Sequence, residues 1–136
     1  VLRGLTTISL FADDVAAARD WYADLLGAEA YFERDAGGKL AYAEFRVGDY
    51  QHELGIVDRR FAPVADHAPA GVVAYWAVDD VAATLARLLE LGATALEPVT
   101  ERGPGYVTAS VLDPFGNVVG VMENAHYHGV LASLRR

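Results

Sequence analysis

The sequence predicts an α+β fold built from two tandem β-α-β-β-β units, and three observations predict it. Residues 13–28 (DDVAAARDWYADLLGA) and 79–93 (DDVAATLARLLELGA) share an Asp-Asp-Val-Ala-Ala opening and a Leu-Gly-Ala close. Each is preceded by a short apolar run, TTISLFA in the first copy and VVAYWAV in the second. Each is followed by strand-like segments separated by turn residues. Repetition that matches in opening, spacing and close marks a duplicated structural unit. The length of 136 residues suits one domain, read as a first unit over about 4–57, a linker over 58–71, a second unit over about 72–123 and a tail over 124–136.

The repeated segments read as helices. Their opening aspartates suit the N-cap, where a carboxylate accepts bonds from free N–H groups at the positive end of the helix dipole. Val15, Ala18, Tyr22 and Leu25–Leu26 recur at helical spacing, as do Val81, Leu85, Leu88 and Leu89. Gly27 and Gly92 supply the permissive backbone that ends a helix. The remaining segments read as strands. In the first unit these are Glu29–Arg34, then Leu40–Val47 and Tyr50–Val57 flanking a Gly48-Asp49 turn. In the second they are Ala93–Thr100, Tyr106–Leu112 and Val118–Glu123, with breaks at Gly103-Pro104-Gly105 and Asp113-Pro114-Phe115-Gly116. The tail is weakly apolar and reads as a short helix or a segment packed across a neighbour.

Composition narrows the function. The net charge is −8, with a single lysine and ten arginines, which repels a phosphate backbone and argues against nucleic acid as a partner. No apolar run approaches the roughly 18 residues of a spanning helix, so a membrane partner is not expected. The start of the chain lacks the basic, apolar and small-residue pattern of a signal peptide. With no cysteine there is no disulfide framework and no thiolate chemistry. A cytoplasmic protein is the resulting expectation.

Three segments carry a family resemblance: LTTISLFADDVAAARDWYADLLGAEA, GVVAYWAVDDVAATLARLLELGA and VLDPFGNVVGVME. Together they resemble the vicinal oxygen chelate superfamily, which includes glyoxalase I, the extradiol dioxygenases, methylmalonyl-CoA epimerase and the bleomycin-resistance proteins. The resemblance implies sheets curled around a small-molecule cavity, and a homodimer. Metal-using members take one ligand from the first strand and one from the last strand of each unit. Counting back from the helix-opening aspartates puts these positions on Thr7 and Glu53 in the first unit, and on Val73 and Gly120 in the second. Valine and glycine side chains cannot coordinate a divalent ion, and one carboxylate is too few donors for a specific site. No metal ligands and no cofactor are therefore expected, and glyoxalase, epimerase and extradiol dioxygenase chemistry are disfavoured.

Strand alternation predicts what lines the cavity instead. Thr7, Ser9 and Phe11 from the first strand, Glu53, Tyr75, Tyr106, Thr108 and Met122 are expected to face it, an aromatic and hydroxyl lining with one carboxylate. Glu53 is the residue expected to act chemically, accepting a proton or holding a cationic group. With a two-residue Gly48-Asp49 turn, Glu44 would lie opposite Glu53 and Arg46 opposite Gln51. The expected function is metal-independent binding of an antibiotic or metabolite. The alternative is a lyase, isomerase or dioxygenase of the same superfamily, with a displaced metal or with Glu53 as general base.

Overall fold

The computed structural model describes residues 3–63 and 72–135. The chain divides into two compact units, residues 1–67 and 68–136. In the first unit β1 (Thr7–Ala12), α1 (Val15–Leu26), β2 (Phe32–Ala36), β3 (Lys39–Val47) and β4 (His52–Asp58) follow one another. The sheet order is β1-β4-β3-β2, with β1 parallel to β4 and the remaining pairs antiparallel. In the second unit β5 (Tyr75–Ala77), α2 (Val81–Glu90), β6 (Thr94–Gly103), β7 (Tyr106–Leu112) and β8 (Val118–Asn124) repeat the pattern in the order β5-β8-β7-β6. The predicted tandem β-α-β-β-β architecture is present in both units.

Both helices begin as their sequences dictate. Asp14 and Asp80 sit in extended backbone, and each carboxylate accepts a hydrogen bond three residues on, from the N–H of Ala17 and of Ala83. Gly27 ends α1 in the left-handed conformation at φ +63°, where a side chain would be strained. Val15, Ala18 and Tyr22 are buried on α1, and Val81 and Leu88 on α2. They cover one face of each sheet. In the first unit that face carries the buried Ala12, Ala41, Ala43, Phe45, Leu54 and Ile56; in the second it carries Ala109, Val111, Val119 and Val121. Burying a side chain such as Phe45 or Leu54 contributes roughly 1.5–3 kcal/mol, so these two small cores hold each unit together.

Several expected boundaries move. The second unit's first strand was expected over 72–78, but only Tyr75–Ala77 is paired and Val72 is 93% exposed. Leu89, expected on the apolar face of α2, is exposed. β2 starts at Phe32 rather than Glu29, with a register shift between Arg34 and Asp35, and β6 runs on to Gly103. The Gly48-Asp49 turn is a four-residue loop: Val47 pairs with His52, and Gln51 takes a positive φ of 55°. The expected linker opens with Asp58 still in β4 and continues as a single 3₁₀ turn over Arg59–Phe61, while its residues 64–71 lie outside the described residues. The tail forms α3 (Ala125–Leu134), capped by the Asn124 side chain. Tyr127, Val130, Leu131 and Leu134 fall at helical spacing along it, yet none of its described residues is buried. Among the described residues no helix is long and apolar enough to cross a membrane.

Asp58 ends β4 with its side chain 2% exposed. It accepts the backbone N–H of Arg60 at 2.9 Å and lies 3.1 Å from the Arg60 guanidinium and 3.3 Å from the Lys39 ammonium. The Arg60 backbone bond, then its guanidinium and the Lys39 ammonium, outweigh burial and lower the carboxyl from 3.8 to about 2. A depressed carboxyl stabilises the fold fully above its unfolded value and loses that contribution as pH falls through its folded value. Asp58→Asn is expected to cost roughly 1–2 kcal/mol at pH 7, discounted because both cations are half-exposed. In urea titrations the gap to the unsubstituted protein should close as pH falls from about 4 towards 2. A gap that persists at pH 2 would assign the loss to packing.

Candidate functional site

The face of each sheet away from its helix is where alternation sends the polar and aromatic side chains. In the first unit the register makes this open face explicit. Thr7 lies opposite Glu53, Ser9 opposite Gly55 and Phe11 opposite Val57, while across β3 Arg46 faces Glu53, Glu44 faces Gly55 and Tyr42 faces Val57. The expected pairing of Glu44 with Glu53 and Arg46 with Gln51 is therefore corrected by two positions, because the loop is two residues longer than read. A shift of two preserves the face, so Glu44, Arg46 and Glu53 still share it.

Thr7 Oγ1 donates to Glu53 Oε2 at 2.7 Å. Beside this pair the Tyr42 hydroxyl donates a hydrogen bond to Glu44 Oε1. Burial pushes the Glu44 carboxyl above its ordinary value, the Glu53 charge raises it further and Arg46 opposes the rise. Burial and then the Glu53 charge likewise raise the Tyr42 phenol. Arg46 lies over the ring of Tyr31 at 4.6 Å, and Arg34 over Phe32 at 5.6 Å. Thr7, Ser9, Phe11 and Glu53 thus lie on one face of the first unit's sheet. Tyr42 and Glu44 belong to the same group, although sequence reasoning did not count them as site residues. Applying the same alternation to β3 would have found both.

The second unit brings Tyr75, Thr108 and Met122 onto its own open face, with Tyr106 at the far end of β7 opposite Asn124. Met122 pairs with Thr108 in register, and its Sδ accepts from Asn124 Nδ2 at 3.4 Å. Thr108 and Ser110 are buried there. Ser110 Oγ donates to Glu97 Oε1 at 3.2 Å, and the Tyr75 hydroxyl reaches the same oxygen at 3.5 Å. Arg102 ties the group together, donating to Thr108 Oγ1 at 3.1 Å and to Glu97 Oε2 at 3.3 Å. Glu97 and Arg102 had no usable signal, because β6 shifts register at three points and alternation fails along it.

The superfamily's metal does not fit these residues. Gly120 lies opposite Tyr75 rather than beside Val73, which precedes β5 altogether; in register Gly120 matches Gly55 of the first unit, and the counterpart of Glu53 is Val118, which cannot ligate a metal either. A Cβ at Gly120 would sit 2.6 Å from Tyr75 Cδ1, so the ring occupies the space that a ligating side chain would need. In the first unit Glu53 is paired with a threonine hydroxyl and not with a second ligand of metal-binding type. Among the described residues no group of three or more His, Cys, Asp and Glu side chains is placed to hold a metal ion. An open hollow at the end of α1, lined by Asp20, Ala23, Asp24, Gly27, Ala28 and Glu29, contains none of the expected site residues. The open face of each sheet carries the denser chemistry, and each is a candidate site by itself.

The family model described as Glyoxalase/Bleomycin resistance protein/Dioxygenase superfamily matches residues 4–121. No curated protein matches the chain. Among solved structures, a glyoxalase-related enzyme from Fulvimarina pelagi aligns at TM-score 0.70 and 19% identity, covering 89% of this chain and 88% of that one. TnmS3, an antibiotic binding protein from Streptomyces sp. CB03234, aligns at TM-score 0.66 and 23% identity, covering 88% and 94%. A member of the same superfamily from Sphaerobacter thermophilus DSM 20745 aligns at TM-score 0.70 and 18% identity, covering 90% and 98%. At these identities the likeness is one of fold.

The cause assigned to the Glu44 shift predicts two opposite responses. In a carbon-detected NMR titration, Glu53→Gln should lower the Glu44 pKa and Arg46→Gln should raise it. Equal values in both variants would show that burial alone sets it.

Proposed function

We propose that this chain, which belongs to the Glyoxalase/Bleomycin resistance protein/Dioxygenase superfamily, binds a small molecule without a metal ion and sequesters an antibiotic or metabolite. One observation carries the reading. At the superfamily's ligand positions, Thr7 and Glu53 bond to each other, Val73 is aliphatic, and Tyr75 fills the space at Gly120. The surrounding chemistry supports binding: aromatic rings, hydroxyls and a few fixed charges orient a ligand in small-molecule sites. The proposed ligand-binding residues are Thr7, Ser9, Phe11 and Glu53 on the open face of the first unit, and Tyr75, Tyr106, Thr108 and Met122 on that of the second. The fold is shared with TnmS3, an antibiotic binding protein.

The second reading is an enzyme of this fold with Glu53 as general base, and the half-buried Glu53 carboxylate beside a hydroxyl favours it. The fold is shared with a glyoxalase-related enzyme as well. The net charge of −8 argues against nucleic acid, and the absence of cysteine supports a cytoplasmic setting. A homodimer is part of the proposal, supported by the exposed Val130 and Leu134 of α3.

Titration calorimetry with a panel of aromatic metabolites and antibiotics tests the reading. Saturable binding of about one equivalent is expected, with the compound recovered unchanged. Glu53→Gln should weaken it about tenfold, roughly 1.4 kcal/mol. Consumption of more than one equivalent, or stoichiometric metal in the purified protein that is lost with Glu53→Ala, would overturn it.

A further inference from the structure

We infer that the open face of the second unit takes a neutral sugar ring, laid on Tyr75 with its hydroxyls against the Glu97–Arg102 pair. The inference rests on the binding reading above and deepens it by naming a ligand class for that one face. Four residues form a single row across the sheet. Tyr75 on β5 lies opposite Gly120 on β8, Gly120 opposite Ser110 on β7, and Ser110 opposite Glu97 on β6. Gly120 has no side chain and Ser110 is small and buried, which leaves room along the row. The Tyr75 ring takes that room: a Cβ at Gly120 would lie 2.6 Å from its Cδ1 and 2.9 Å from its Cε1, and its hydroxyl reaches Glu97 Oε1 at 3.5 Å. One face of the ring is turned down onto Gly120. Tyr75 is still 42% exposed, so the other face is open to a ligand.

At the far end of the row the polar groups are already held. Ser110 Oγ accepts the Glu97 N–H and donates to Glu97 Oε1, both at 3.2 Å. Arg102 donates through Nε to Thr108 Oγ1 at 3.1 Å and through Nη2 to Glu97 Oε2 at 3.3 Å. These bonds use two of the five guanidinium N–H groups and one of the two lone pairs on Oε2. Spare donors and a spare acceptor therefore stand side by side, on side chains that are 50% and 45% exposed. A sugar hydroxyl both donates and accepts, so two on adjacent carbons complement such a pair. Donor and acceptor fixed before binding reduce what the ligand has to order.

Charge and hydration select the ligand class. Among the described residues Glu97 and Arg102 are the charged side chains of this face, because the register sets Glu101 and Glu123 with Val107 on the helix side. The two are ion-paired and cancel, so the face favours neither an anion nor a cation. A flat apolar ligand on Tyr75 would strip water from the half-exposed pair and return no hydrogen bond. An open-chain polyol would satisfy the pair and leave the Tyr75 ring uncovered. A pyranose answers both, with its C–H face on the aromatic ring and the hydroxyls at its edge on carboxylate and guanidinium. The same row in the first unit reads Ser9, Gly55, Glu44 and Phe32, so the arrangement is particular to the second unit and not inherited from the repeat.

Saturation-transfer NMR titrations with methyl glucoside, methyl galactoside and methyl rhamnoside test this. The controls are 2-methoxytetrahydropyran, the same ring without hydroxyls, and 2-naphthol, a flat aromatic. At least one glycoside is expected to bind saturably, and roughly tenfold more tightly than 2-methoxytetrahydropyran. Tyr75→Leu should weaken that glycoside about fivefold to tenfold, and Tyr75→Phe, which keeps the ring, by much less. Arg102→Met should weaken it about tenfold. Should one of these variants fail to fold, the other carries the test. Equal or tighter binding of either control, or indifference of the glycoside to Tyr75→Leu or to Arg102→Met, overturns the inference. If metabolites or antibiotics of the panel bind in a Glu53-dependent way while no glycoside binds, this inference fails and the binding reading stands. If neither the panel nor the glycosides bind, the reading itself fails.

Discussion

A strand cannot turn tightly into a parallel neighbour, so pairing the first strand of each unit with its last needs everything between them. In the first unit β1 pairs with β4 only after α1, β2 and β3 have been laid down, and in the second β5 waits in the same way for β8. This long-range pairing decides the rest. It puts the helix over one face of the sheet, where Phe45, Leu54 and Ile56 are buried. It leaves the other face open, and it fixes which residues of the two strands meet there. Thr7 finds Glu53, 46 residues away, through this pairing.

The same constraint explains which contacts surround Thr7, Glu53 and Gly120, three of the positions expected from the superfamily's metal site. Residues that meet across a parallel pair will interact with whatever they are. Where the pair is threonine and glutamate it forms a hydrogen bond, and where it is tyrosine and glycine the ring takes the vacant volume. Both outcomes are stable packings in their own right. Restoring a metal ligand at Gly120 would require both the Tyr75 ring and the Ala74 carbonyl to shift, since a Cβ there would lie 2.6 and 2.8 Å from them.

How much of this was legible depended on whether the signal was local. The helix starts at Asp14 and Asp80 and the close at Gly27 are chemical statements made by single residues, and the structure honours them. The 48–51 loop was misread because Gly48-Asp49 looks like a complete turn, while Gln51, which takes the second positive φ, gives no sign of it. The open face survived that error because the slip was an even number of residues. On β6 the period itself breaks, and Glu97 and Arg102 were invisible until the strand's bulges placed them. Tyr42 and Glu44 were accessible to alternation but carry no motif. Gly55, opposite Glu44 on the adjacent strand β4, leaves the room that the Tyr42 ring takes.

The central claim is that the first unit's open face, and not a metal centre, receives a small molecule. Amide chemical-shift mapping during titration with a bound compound tests it most directly. The account predicts that the largest changes fall on Thr7, Tyr42, Glu44, Arg46 and Glu53 and are unaffected by a chelator. Changes confined to the Asp20–Glu29 end of α1, or changes at Glu53 that appear only when zinc, nickel, manganese or iron is added, would contradict it.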